Sequence, residues 1–160
     1  MEPVRIINYS PEYQGSIDQM MKGIEKEFPL PITSPQSTRI NEVYHLEDQK
    51  FWLALHEQKV VGTIGLSLFS NGEAVLKRMM VDKAYRGKGF ETASLLLTKA
   101  LDWGKKEGYS KIYLGTMDQF LAAQKFYLKN GFKAITKDQL PKDYSPNPID
   151  TLYYFKNLLP

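Results

Sequence analysis

Between Ala84 and Ala93 the chain reads AYRGKGFETA, with Arg86, Gly87, Lys88 and Gly89 in direct succession ahead of a helical pattern. A helix N-terminus leaves its first N–H groups unpaired and carries positive partial charge. Glycines let an anion approach those groups closely, and Arg86 and Lys88 add formal charge. The chemistry that suits this turn is the holding of a phosphate or pyrophosphate. The same residues also read as a plain strand-to-helix turn whose glycines only relieve backbone strain. Two nucleotide motifs do not fit. G-x-x-x-x-G-K-[ST] is absent, and Gly87-x-Gly89 is followed by Thr92 where the dinucleotide fingerprint has its third glycine.

The elements that must position this turn are legible from periodicity. Val4–Asn8 reads as a first strand. Ser10 and Pro11 offer an N-cap and a first helical residue, followed by Tyr13, Ile17, Met20, Met21 and Ile24 at helical spacing. Phe28–His45 carries three prolines and little periodicity, and reads as loop with a short helix near its end. Lys50–Phe69 holds two strand-like runs around the polar interruption Glu57–Lys59. Asn71-Gly72 is a strong hairpin signal, so a third antiparallel strand should end near Val81. Gly89–Glu107 is helical, with Gly108 as its stop. Lys111–Thr116 is a short buried strand. Asp118–Gly131 is a second helix with Asp118 as N-cap, and Pro148–Leu158 is the last strand. The order β-α-ββ(β)-α-β-α-β gives an α/β fold: a mixed central sheet flanked by helices, one layered domain over residues 1–160.

Leu76–Thr116 resembles motif A of the GCN5-related N-acetyltransferase (GNAT) superfamily. That motif is an apolar strand ending in Val, a short bend, then [RQ]-x-x-G-x-[GA] opening a helix; Arg86 and Gly89 match it. Ala122–Phe132, AAQKFYLKNGF, resembles the family's motif B through Ala123, Tyr127, Lys129, Gly131 and Phe132. The resemblance implies acetyl-coenzyme A as cosubstrate, its pyrophosphate on the N–H groups of Gly87, Lys88, Gly89, Phe90, Glu91 and Thr92. Met79, Met80 and Val81 would line the coenzyme arm, with a backbone N–H near Met79 or Met80 as oxyanion donor, and Arg86 and Lys129 complete the cofactor-binding set. Two positions depart from the family. Glu91 stands where Gly or Ala is usual, and its charge repels a pyrophosphate unless it turns to solvent. Phe120 stands where an Asn is common.

Acetyl transfer needs a neutral amine, a stabilised oxyanion and a proton for the leaving thiolate. Keeping a lysine-like amine neutral at pH 7 costs roughly 4.6 kcal/mol. By resemblance Tyr127 is the acid at the sulfur; otherwise it is a packed aromatic one turn after Ala123. The family's glutamate position falls here on Val75, which cannot titrate. Glu73 shares its strand face and is the candidate base through a water; otherwise it is a solvated residue after the turn. His45 and His56 stand alone, and no spacing supports a metal site. The resemblance gives Phe28–His45 and Asp138–Asp150 the shaping of the acceptor pocket, with Arg39, Glu42 and Tyr44 in the first.

Composition narrows the classes. The chain has 160 residues, no cysteine and a net charge of +3. Disulfides are excluded, which suits a reducing cytoplasm. Lys and Arg are scattered, which argues against nucleic acid. No signal-peptide core opens the chain, and VVGTIGLSLF is too short to span a bilayer as a helix, so no membrane role is expected. The leading reading is an enzyme acetylating a primary amine of a small molecule or peptide, and a homodimer is common among similar proteins. A non-catalytic acyl-coenzyme A binding domain is the alternative, and an ATP-binding module stands last.

Overall fold

The computed structural model describes residues 2–34, 39–87 and 89–159. Seven strands form one sheet in the order β1-β2-β3-β4-β5-β7-β6. They are β1 Arg5–Asn8, β2 Gln49–His56, β3 Lys59–Leu68, β4 Glu73–Val81, β5 Lys111–Thr116, β6 Lys133–Ile135 and β7 Leu152–Asn157. The helices are α1 Gln14–Glu25, α2 Ile40–Val43, α3 Thr92–Lys106 and α4 Leu121–Lys129. Every neighbouring pair is antiparallel except β4 with β5.

Strand periodicity sorts the core onto two faces. On β2, Trp52 and Ala54 join Ile64, Leu66, Leu76, Leu96, Leu97, Ala100 and Ile112 beneath α3. Phe51, Leu53 and Leu55 face the other way and pack on Ile17, Met20 and Ile24 of α1 and Ile40 of α2. β3 lets α3 come close through Gly62: a Cβ there would meet Leu96 Cδ1 at 2.8 Å and Thr92 Cγ2 at 3.2 Å. The first turn of α3 is therefore seated on the sheet at the point where the glycine turn delivers it.

Several expected boundaries move. Ser10 occupies the N-cap position but makes no side-chain cap bond, and a 3-10 turn over Pro11–Tyr13 precedes α1. The helix expected from Gly89 begins at Thr92, because Gly89 and Glu91 both have positive φ. The helix expected from Asp118 begins at Leu121, with Phe120 at the cap position. Gln124 ties the preceding turn to the helix, its Nε2 donating to the carbonyls of Met117 and Asp118 at 3.1 and 3.0 Å. β6 was not foreseen: three residues are too few to show an alternating pattern. The last strand starts at Leu152 instead of Pro148.

Candidate active site

The site begins with a break in the sheet. β4 and β5 are paired only through Glu73–Val75 and Lys111–Tyr113. Beyond Val75 the two parallel strands part, and the sequence carried no direct sign of this. On its other edge β4 is bulged against β3: Thr63 pairs with Met80 and Gly65 with Lys77, so Arg78 and Met79 together oppose Ile64. Arg78 takes φ 57, and Thr63 Oγ1 donates to its carbonyl at 2.6 Å. A bulge bends its strand and re-aims side chains. Here it turns β4 away from β5 and opens the sheet.

Two separate cavities border β4. One, of about 440 Å³, is lined by Met79, Met80, Val81, Arg86, Gly87 and Tyr127 among others. The other, of about 620 Å³, is lined by Val75, Lys77, Arg78, Gly115, Tyr144 and Asp150 among others. It is walled by Ile32 and Thr33 from the segment after α1 and by 144–150 from the loop before β7. Gln119 straps the edge between the loops, exchanging hydrogen bonds with the N–H and carbonyl of Leu30, both at 3.1 Å.

The glycine turn sits at the mouth of the first cavity. Asp82 Oδ1 accepts from the Ala84 N–H at 2.9 Å and starts a 3-10 turn over Lys83–Tyr85. Gly87 and Gly89 have φ 77 and 110, and a Cβ at either would meet nothing within 4 Å. The glycines therefore serve backbone conformation, and the space beside them is open to a ligand. Leu95 N–H bonds back to the Glu91 carbonyl at 3.0 Å, so the N–H groups of residues 92–94 are the ones a helix start leaves free. Thr92 Oγ1 is buried with no partner among the described residues. An open cradle of amides with an orphaned hydroxyl beneath it fits a pyrophosphate.

Arg86 does not extend into that space. Its Nε donates to the Val81 carbonyl at 2.8 Å, and its Nη1 and Nη2 donate to Glu27 at 2.6 and 3.0 Å. Phe90 packs against Tyr85 and His56, with ring centroids 4.6 and 5.3 Å away. Glu91 is exposed at the cap position of α3 with φ 56 and makes no side-chain cap bond. Lys88 lies outside the described residues.

Tyr127 is 4% exposed and packs on Phe126, Phe132 and Tyr154. Burial first, then the Asp150 carboxylate, push its phenol above its ordinary pKa. A phenol so placed stays protonated at neutral pH. Lys129, two residues on, is exposed at the end of α4 and is not among the residues lining the cavity. Glu73 is also elsewhere. It lies at the paired end of β4, where it accepts from Asn71 Nδ2 at 2.7 Å and Tyr113 OH at 3.0 Å, and it lines neither cavity.

The structure instead brings Asp150 to the opening. Its Oδ2 lies 2.5 Å from where a Gly115 Cβ would stand, so the carboxylate occupies the β5 wall in the space that glycine leaves. Burial raises its pKa to about 6, partly offset by a backbone hydrogen bond at Asn147. The sequence signalled Asp150 only as the end of a proline-broken loop. Lys77 and Arg78, on the β4 wall, gave no signal beyond two charges in an apolar run. Among the described residues no three His, Asp or Glu gather as a metal site, and no helix is long and apolar enough to cross a membrane.

Known proteins align with this geometry. An acetyltransferase of the GNAT family from Staphylococcus aureus Mu50 superposes with a TM-score of 0.89 at 34% identity, covering 98% of this chain and 99% of that one. Streptothricin acetyltransferase A of Bacillus subtilis is 29% identical over 82% of this chain and 78% of its own length. N-acetylaspartate synthetase of Xenopus tropicalis is 42% identical over 53% of this chain. The chain spans only 31% of the length of that relative. Residues 17–132 match the acetyltransferase (GNAT) family, and with the split sheet and the glycine turn in the places just described, the chain belongs to that family.

Proposed function

We propose that this chain transfers an acetyl group from acetyl-coenzyme A to a primary amine of a small molecule or peptide by direct attack. One observation carries the reading. β4 parts from β5 and borders two cavities, one lined in part by the glycine turn and the other by the loops after α1 and before β7. A thioester entering from the first side meets an amine entering from the second within the gap.

The chain's residues divide the work. Amides at the start of α3 hold the pyrophosphate, with Gly87 and Gly89 giving it access. The backbone at the Arg78–Met79 bulge supplies an N–H to the thioester oxygen as it gains charge. Asp150 takes a proton from the amine, directly or through a water, and its raised pKa suits a base working near neutral pH. The amine nitrogen bonds to the carbonyl carbon, the carbon–sulfur bond breaks with its electrons going to sulfur, and Tyr127 returns a proton to the thiolate. Asp150 replaces Glu73 as our candidate base, since Glu73 is bound at the far end of β4.

Residues 1–160 form one catalytic unit in this reading, in a reducing cytoplasm that suits a cysteine-free chain; its assembly into homodimers is testable by sedimentation. The reaction is tested by thiol release from acetyl-coenzyme A across a panel of amines, amino acids and peptides, with product mass as confirmation. Acetylated product is the expected result. Coenzyme binding with no product on any amine would overturn the proposal.

A further inference from the structure

The second cavity has an unequal distribution of charge. Lys77 and Arg78 are adjacent on the β4 wall, and both are half-buried. Among the described residues neither has a carboxylate within ion-pair distance. A cation becomes costly to leave unpaired as it loses water. The Lys77 Nζ instead lies 5.3 Å over the Phe51 ring. Arg78 is held at φ 57 by the bulge, a conformation a non-glycine residue keeps only when its surroundings impose it.

The other charged groups are accounted for. Arg39 pairs with Asp18 at 3.3 Å and adds to the positive field felt by Arg78. Asp48 is the carboxylate felt by Lys77 and is exposed at the mouth. Asp150 stands on the opposite wall against Gly115. Burial, then Arg78, lower the Lys77 ammonium to about 8. The cavity therefore presents two cations without an ion-pair partner on the β4 wall, Asp150 on the opposite wall and Asp48 exposed at the mouth.

We propose that the acceptor is a small amine that itself carries a carboxylate, its amine directed to Asp150 on the β5 wall and its carboxylate received by Lys77 and Arg78 on the β4 wall. This deepens the acetyl-transfer reading and rests on it. Arg offers a planar fork for the carboxylate, and Lys a compact charge beside it. A polycation entering the same cavity would bring like charge against both. A neutral amine would leave both unpaired.

The test compares matched amines: amino acids, their carboxamides and a polyamine, each with acetyl-coenzyme A. In the wild type the carboxamide should lose at least about tenfold in kcat/KM, mainly through KM. Lys77→Gln should erase most of that preference while the affinity for coenzyme A stays constant. Arg78→Lys, which keeps the charge and loses the fork, should weaken it partly. A separate readout needs no turnover: an amine-reactive reagent should label Lys77, and the amino acids with coenzyme A should protect it where the carboxamides do not. Equal use of acid and amide, or preference for the polyamine, with normal thiol release would overturn the inference and leave acetyl transfer standing. If no amine is acetylated, the acetyl-transfer reading fails, and unprotected Lys77 would overturn this inference as well.

Discussion

Glu27, just past the end of α1, grips the guanidinium of Arg86 with both oxygens, at 2.6 and 3.0 Å. The third arm of Arg86 is on the Val81 carbonyl. The turn's most recognisable cation is thus committed to tying α1 and β4 to the glycine turn. Its charge is neutralised before any anion arrives. Glu27→Gln should lower stability by roughly 1 kcal/mol, as expected for a bidentate but partly solvated pair. Calorimetric titration should show weaker coenzyme A binding despite the loss of a negative charge, because the turn loses its anchor. Tighter binding would mean that the charge of Glu27 outweighs its clamp.

Glu91 is best tested by a change of backbone freedom. At φ 56 it pays the steric cost of a left-handed residue, and its exposed side chain makes no cap bond in return. Glu91→Gly should raise stability by about 1 kcal/mol. Glu91→Ala keeps the strain and should gain nothing in melting temperature. If charge repulsion also acts, both variants will bind coenzyme A more tightly at low salt, since the Coulomb contribution of unit charges about 8 Å apart is roughly 2 kcal/mol before screening. Equal melting temperatures for Gly and Ala would show that the turn carries no strain.

The legible part of this fold was the part written in local chemistry. Asn71-Gly72 announced its hairpin, and Gly108 and Gly131, both with positive φ, ended their helices where only glycine is comfortable. The glycine turn and Tyr127 stand out as candidates because their neighbours in sequence carry the pattern. Asp150, the base we propose, does not, because the pairing of β5 with β7 brings it beside Gly115 from 35 positions along the chain. The bulge was equally silent: Arg78 is an ordinary strand residue in sequence, and only its register against Gly65 and Thr63 shows the extra residue. Glu73 looked suitable by strand alternation. Alternation fixes a face, not a position along the strand, and Glu73 is at the end where β4 and β5 remain paired.

Tyr127→Phe separates acid from packing. The phenol oxygen has no hydrogen-bond partner among the described residues, while the ring is packed on three aromatics. The variant should keep its melting temperature within about 1 kcal/mol of stability and its affinity for coenzyme A. Its kcat should fall on the order of a hundredfold. A fall in coenzyme affinity with unchanged kcat would mean that the hydroxyl positions the thioester and does not protonate the thiolate.

Asp150→Asn tests the base through two pH profiles at once. Burial holds the Asp150 carboxyl at about 6, against an ordinary value of 3.8. The folded protein therefore keeps a proton between about pH 4 and 6 that the unfolded chain releases. The stability contributed by the protonated form is fully present below pH 4 and is lost as pH rises through 6. Asn cannot ionise, so the variant should be the more stable protein at pH 7.5, by on the order of 2 kcal/mol, and the two should converge near pH 4. Activity should move the other way. Wild-type kcat should rise with pH through a limb near 6, and the variant should lose that limb together with about a hundredfold in rate. A variant that gains stability at pH 7.5 yet keeps its rate and its pH limb would show that Asp150 is a strained buried carboxylate with no part in proton transfer.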